Sequence, residues 1–210
     1  MSCEITRLRR ALLPRMVKGH ILQLSPRISL RALSFRILSH AEIEHYLEDR
    51  VAEIALAADA AWKARQHVSR AMLCLLSFSG LPFVRLPSTL RPPANKKQAD
   101  WAALVKPDQQ ISKAIGSYMR RVRQENHGIK EENILSLLLP IGFSADDLDE
   151  LLLAELNDFG IKRGTAAHVS VARHVTAGVN PIDESSQVAR ITKGLKDVDA
   201  RLDSLLAGAR

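Results

Sequence analysis

An all-α fold is predicted for this 210-residue chain by three features. The hydrophobic fraction is 46% but the aromatic fraction only 4%, so Leu, Ala, Ile and Val must do the packing. That composition favours helices over a sandwich or barrel. Apolar residues recur at three- and four-residue intervals over long stretches, the period of a helix with one buried face. No segment alternates polar and apolar residues for the length of a useful strand. The expected organisation is a basic N-terminal segment at 1–27 and a helical domain at 28–210, into which a Pro-rich loop at 80–107 is inserted.

The first long helix is expected from Ile28 to about Val68. Leu30, Leu33, Ile37, Ile43, Tyr46, Leu47, Val51, Ile54, Leu56 and Ala58 form its stripe, with no Gly or Pro to interrupt it. Ala71 to Phe78 extends or follows it, and Gly80 and Pro82 end the run, because proline lacks the donor a helix interior needs. Five prolines (Pro82, Pro87, Pro92, Pro93 and Pro107) mark 80–107 as the loop. Asp108 reads as the cap of a helix reaching about Glu125, stopped by Asn126-His127-Gly128. Glu131 to Leu139 is a short helix closed by Pro140 and Gly142. Ser144 reads as the cap of a helix ending at Phe159, with Asp146, Asp147 and Asp149 in its first turn and Leu148, Leu151, Leu152, Leu156 and Phe159 on its buried face. Asn180-Pro181 opens the last helix, where Ile191, Leu195, Val198, Leu202 and Leu205 make one stripe.

Thirty basic residues against 23 acidic ones give a formal charge of +7 and an isoelectric point near 9.7, a balance that suits a polyanionic partner. Residues 1–40 hold eight Lys or Arg against the single acid Glu4, a composition superficially like a transit peptide, although the apolar residues continue into the first core helix. Cys3 and Cys74 have no neighbours at metal-ligand spacing and form no disulfide framework, so a reducing cytoplasm is the expectation and Cys74 reads as core. No apolar run reaches the roughly 20 residues of a membrane helix. There is no Gly-rich phosphate loop, nucleophile elbow or dinucleotide fingerprint, and no cofactor or metal is expected.

The chemistry-bearing stretch is Lys162-Arg163-Gly164-Thr165-Ala166-Ala167-His168. A permanent guanidinium can hold and polarise a phosphate, and an imidazole can move protons near neutrality. Spacing alone does not define the site, since Arg15 and His20 satisfy it too.

Three stretches give the motif a context. They are Ala41-Glu42-Ile43-Glu44-His45-Tyr46-Leu47-Glu48, Asn126-His127-Gly128-Ile129-Lys130 with Asn133 and the leucines leading into Pro140-Ile141-Gly142, and Leu151 to His168 with Asp158-Phe159-Gly160 before Arg163-Gly164. In these the chain resembles the HEPN family, more narrowly the branch found beside RNA-ligase and phosphatase-like partners, over residues from about 28 to 206. Arg163 and His168 match that family's two invariant roles. Gly164 stands where the commoner pattern has a polar residue. The resemblance implies a HEPN-like helical bundle, a homodimer with both Arg-His pairs in one composite cleft, and metal-independent endoribonuclease activity leaving a 2′,3′-cyclic phosphate. It also implies a toxin or phage-defence setting, with an antitoxin or operon partner protein. A catalytically inactive adaptor that binds a partner protein is the alternative it leaves.

Other residues carry two readings each. Arg163 could instead close an acidic helix and pair with Asp158, and His168 could bond a backbone carbonyl. Arg120, Arg121, Arg123 and His127 either stabilise a helix C-terminus through its dipole or steer RNA phosphates. Asn126 and His127 cap and turn, or line the cleft. His45 reads as solvated or locally paired, and the acids between Asp146 and Glu155 as a helix first turn with a solvated face. Trp62 reads as helix packing and Trp101 as an anchor for the Pro-rich loop.

Overall fold

The computed structural model describes residues 1–14, 25–81, 106–168 and 178–210, the side chains of 167 and 168 excepted. Among the described residues there are seven α-helices and no strand: α1 (Ser2–Leu12), α2 (Pro26–Arg65), α3 (Arg70–Phe78), α4 (Pro107–Arg120), α5 (Glu131–Leu138), α6 (Glu150–His168) and α7 (Pro181–Ala209). The fold is all-α, as composition and periodicity predict. Most of the Pro-rich loop, with Trp101, lies outside the described residues, as do Arg15 and His20.

The chain divides into two compact units. The first contains Met1–Asp49, His127–Ser136 and Ser144–Arg201, and the second Arg50–Asn126, Leu137–Phe143 and Leu202–Arg210. Residues 1–14, expected within a separate basic segment, belong to the first unit. There α1 buries Ile5, the Met1 ammonium lies 3.6 Å from Glu42, and Arg31 donates to the Ala11 carbonyl at 2.7 Å.

Helix α2 stops at Arg65 rather than near Val68. Gln66 takes a left-handed conformation with φ 55°, and the amides of Gln66 and His67 turn back onto the carbonyls of Trp62 and Ala61. Ser69 then caps α3 through its hydroxyl on the Met72 amide. Leu33, Ile43, Leu47, Val51, Ile54 and Ala58 are buried as the stripe predicts, whereas Leu30, Ile37 and Leu56 are exposed. Cys74 is only half-buried.

In the second unit, α4 starts at Pro107 with Lys106 as the capping position. Asp108, expected to be the cap, instead accepts the Trp62 indole N–H at 2.7 Å. A π turn, Arg121–Glu125, widens the end of α4, with the Asn126 amide on the Arg121 carbonyl at 2.9 Å. Tyr118, buried on α4, donates to the Leu137 carbonyl at 2.6 Å. Burial pushes its phenol well above the ordinary tyrosine range.

Helix α6 departs most from expectation. Ser144 precedes a short 3₁₀ turn, Ala145–Asp147, and Leu148 is extended before the α-helix begins at Glu150. Asp149 supplies the cap, accepting the Leu151 amide at 2.9 Å. The helix then runs through Gly160 and Gly164 to His168. Leu152, Leu156 and Phe159 form its buried face, while Leu151, about 100° away on the helical wheel from Leu152, is 76% exposed. A Cβ at Gly160 would lie 2.9 Å from the Lys130 side chain, so the glycine admits a close approach within a helix that continues past the expected end at Phe159.

Helix α7 opens as predicted, with Asn180 accepting the Ile182 amide at 3.0 Å. Its buried stripe is Ile191, Leu195, Val198, Leu202 and Leu206, the last in place of Leu205.

Candidate functional site

In the first unit, Arg163 sits within α6 and is half-buried, and His168 is the last residue of the helix. Both therefore belong to the helix, rather than following it as the sequence suggests. Positions five apart on an α-helix are separated by about 140° around its axis. Helix α6 thus does not place 163 and 168 on one face.

The acid that would neutralise Arg163 is otherwise engaged. Asp158 accepts from Lys162 at 2.6 Å and from the Gln187 amide at 2.7 Å. Lys162 also donates to the Gln187 carbonyl oxygen at 3.1 Å, closing a triangle between α6 and α7. Partial burial of the Asp158 carboxyl works against ionisation. The hydrogen bonds from Lys162 and Gln187, with the charges of Lys162 and Arg36, prevail and hold its pKa below the ordinary value. Among the described residues no ion pair engages Arg163. A Cβ added at Gly164 would meet nothing within 4 Å, so the backbone beside Arg163 is open.

Beneath this triangle lies a polar seam not foreseen from the sequence. Arg36 and Glu184 form a two-pronged ion pair at 2.9 and 2.5 Å, both side chains buried. One turn along α2, His40 is buried with its ring centroid 5.9 Å from that of Phe159. Its Nδ1 stands 3.5 Å from the Glu44 carboxylate and makes no hydrogen bond. Arg36, His40 and Glu44 recur every fourth residue, a polar stripe inside an otherwise apolar helical period. That spacing is the signal that could have exposed them.

Arg120, Arg121 and Arg123 belong to the second unit, exposed at the end of α4 and in the π turn that follows. Asn126 is buried at the end of that turn, and His127 is exposed at the start of the next segment. His45 lies 3.3 Å from Asp49 on the surface of α2, the local pairing read from sequence. The acids around α6 are dispersed: Asp147 pairs with Arg201 at 2.8 Å and Glu155 with Arg190 at 2.6 Å. Among the described residues no three His, Cys, Asp or Glu side chains form a group able to hold a metal ion, and no helix is long and apolar enough to cross a membrane.

Compared with known proteins, the chain matches no family model, no curated protein and no solved structure at a significant level.

Proposed function

We propose that the protein is a HEPN-type, RNA-binding endoribonuclease acting as a homodimer in a toxin or defence system, with Arg163 and His168 as its catalytic residues. The observation that carries this reading is the state of Arg163. It is half-buried on α6 beside an open glycine backbone, and Asp158, its candidate partner, is instead paired with Lys162 and Gln187 through Oδ2. A guanidinium so placed is available to a phosphate oxyanion.

In the chemistry proposed, His168 accepts the proton of a ribose 2′-hydroxyl as that oxygen attacks the adjacent phosphorus. The new P–O2′ bond forms as the P–O5′ bond breaks, giving a 2′,3′-cyclic phosphate and a 5′-hydroxyl that takes up a proton from the imidazolium form of His168 in the second copy. Arg163 stabilises the charge that develops on the phosphorane oxygens. The angular separation of 163 and 168 on α6 favours a cleft composed from two copies over a pair preassembled on one helical face. Arg120, Arg121 and Arg123, exposed on the second unit, serve as a phosphate-steering surface, with Asn126 completing their turn.

Incubating the full chain with total RNA in EDTA, beside a His168→Ala control, tests the reading. Discrete cleavage by the parent and none by the control is expected. Absence of cleavage in both favours the second reading, a catalytically inactive adaptor for a partner protein. The observation on its side is Leu151, 76% exposed beside Leu152 and Ala154 in a groove between α6 and α7.

A further inference from the structure

We infer that the cleft between the end of α1 and the start of α7 binds a nucleotide unit of single-stranded RNA. This shares with the preceding reading only the identity of the polyanion, and needs neither Arg163 nor His168.

Charge distribution points to this end of the molecule. The eight basic residues and one acid of residues 1–40 account for the entire formal charge of +7, since the 22 basic and 22 acidic residues from Ala41 to Arg210 cancel. The sequence's excess of positive charge therefore lies in its first forty residues, a region suited to a polyanion. Three of the six arginines described there are engaged, Arg7 with Glu4 at 2.8 Å, Arg31 with the Ala11 carbonyl and Arg36 with Glu184, and Arg27, exposed at the start of α2, lies outside the cleft that Arg9 and Arg10 line. Arg9 and Arg10 differ. Both are exposed, and no ion pair among the described residues engages either.

These two arginines line one side of a cleft of about 680 Å³, with Ser185 and Ser186 of α7 across from them. The volume falls in the range of small-molecule sites, which pair apolar walls with a few polar groups. Two guanidinia suit a phosphodiester, and the hydroxyls suit ribose or base edges. The remaining lining, Leu13, Pro14, Pro181 and Ile182, is an apolar wall against which a base can lie. Of the two acids in this stretch of α7, Glu184 is compensated by Arg36, and Asp183 is exposed but does not line the cleft.

A basic amphipathic helix can also sit on an anionic membrane, but it does so by inserting its apolar face. That face of α1 is committed to the protein, with Ile5 and Leu13 both buried. RNA is therefore the favoured ligand.

The test is fluorescence anisotropy of a labelled single-stranded RNA oligonucleotide with the full chain across a salt series. The Arg9→Ala/Arg10→Ala double variant should bind about tenfold more weakly and lower the salt slope by about 1.4, the loss of two phosphate contacts on a single strand. Ser186→Glu provides a second variant that leaves the arginines in place. Position 186 is exposed near the start of a helix, where a carboxylate is compatible with the dipole, so weaker binding there reports charge in the cleft and not unfolding. Arg163→Ala should retain affinity. Equal binding by parent, double variant and Ser186→Glu overturns this inference alone, whereas no RNA binding by the parent overturns it together with the proposed function. Capture of phosphatidylserine vesicles in place of RNA also overturns it.

Discussion

The guanidinium of Arg36 and the carboxylate of Glu184, 148 positions apart, meet in a buried two-pronged ion pair that ties α2 to α7 within the first unit. Breaking such a pair from one side leaves an uncompensated charge in a low dielectric. Replacing both partners by apolar residues removes the problem. Glu184→Ala should therefore cost about 3–5 kcal/mol, and the Arg36→Met/Glu184→Leu double variant markedly less. Urea denaturation of the three proteins checks the order. A single variant as stable as the double one would show that Arg36 finds solvent when released.

The Asp158 triangle predicts a small acid sensitivity. The folded pKa of Asp158 is lower than its unfolded value, held there by Lys162 and Gln187 despite partial burial. Its stabilising contribution is thus fully present above the unfolded carboxylate pKa of about 3.9 and is lost as pH falls through the folded value. Asp158→Asn should lower the melting temperature slightly at pH 7, with the gap to the parent closing below pH 4. The side chain is about half exposed, so screening keeps the effect modest. A gap that widens on acidification would reverse the assigned sign.

Tyr118 offers a cleaner measurement. Its hydroxyl donates to the Leu137 carbonyl at 2.6 Å in the core of the second unit. Tyr118→Phe keeps the ring and removes the donor, deleting a buried hydrogen bond at a cost of about 0.5–1.5 kcal/mol. Chemical denaturation at neutral pH measures the difference directly. An unchanged midpoint would mean that another donor reaches Leu137.

What the sequence made legible was local. Pro181 after Asn180, the stop at Asn126-His127-Gly128 and the uninterrupted period of α2 each depend on residues close together in the chain, and the structure has an element boundary or a helix at each. The ends of α6 were not legible, for a tertiary reason. The helix expected to end at Phe159 continues through Gly160, where the missing side chain admits a close approach to Lys130. Its start lies at Glu150, with Asp149 rather than Ser144 as the cap, and Leu151 falls outside the face that Leu152, Leu156 and Phe159 bury. The pairing of Asp158 away from Arg163 was equally hidden, since part of it comes from Gln187, 29 positions along the chain.

The proposed cleavage makes its sharpest demand on the substrate. If the 2′-hydroxyl is the nucleophile and an imidazole its base, an RNA with a single deoxyribose at the cut site should resist cleavage there while remaining bound. Chelation should leave the rate on ordinary RNA unchanged, because in the proposed chemistry Arg163 gives the charge stabilisation that a metal supplies in other nucleases. Arg163→Ala should lower the rate by about 10²–10³-fold, the scale for losing one oxyanion-stabilising group. His168→Ala should lower it by about 10²–10⁴-fold, the scale of general acid–base catalysis. Arg163 is half-buried rather than part of the apolar core, so the helical circular dichroism of its variant should match the parent. Single-turnover assays with end-labelled RNA, analysed for the cyclic phosphate, separate these outcomes. Equal cutting of the deoxy-substituted strand, or activity that disappears in EDTA, would eliminate the 2′-hydroxyl mechanism and leave the fold with the adaptor reading.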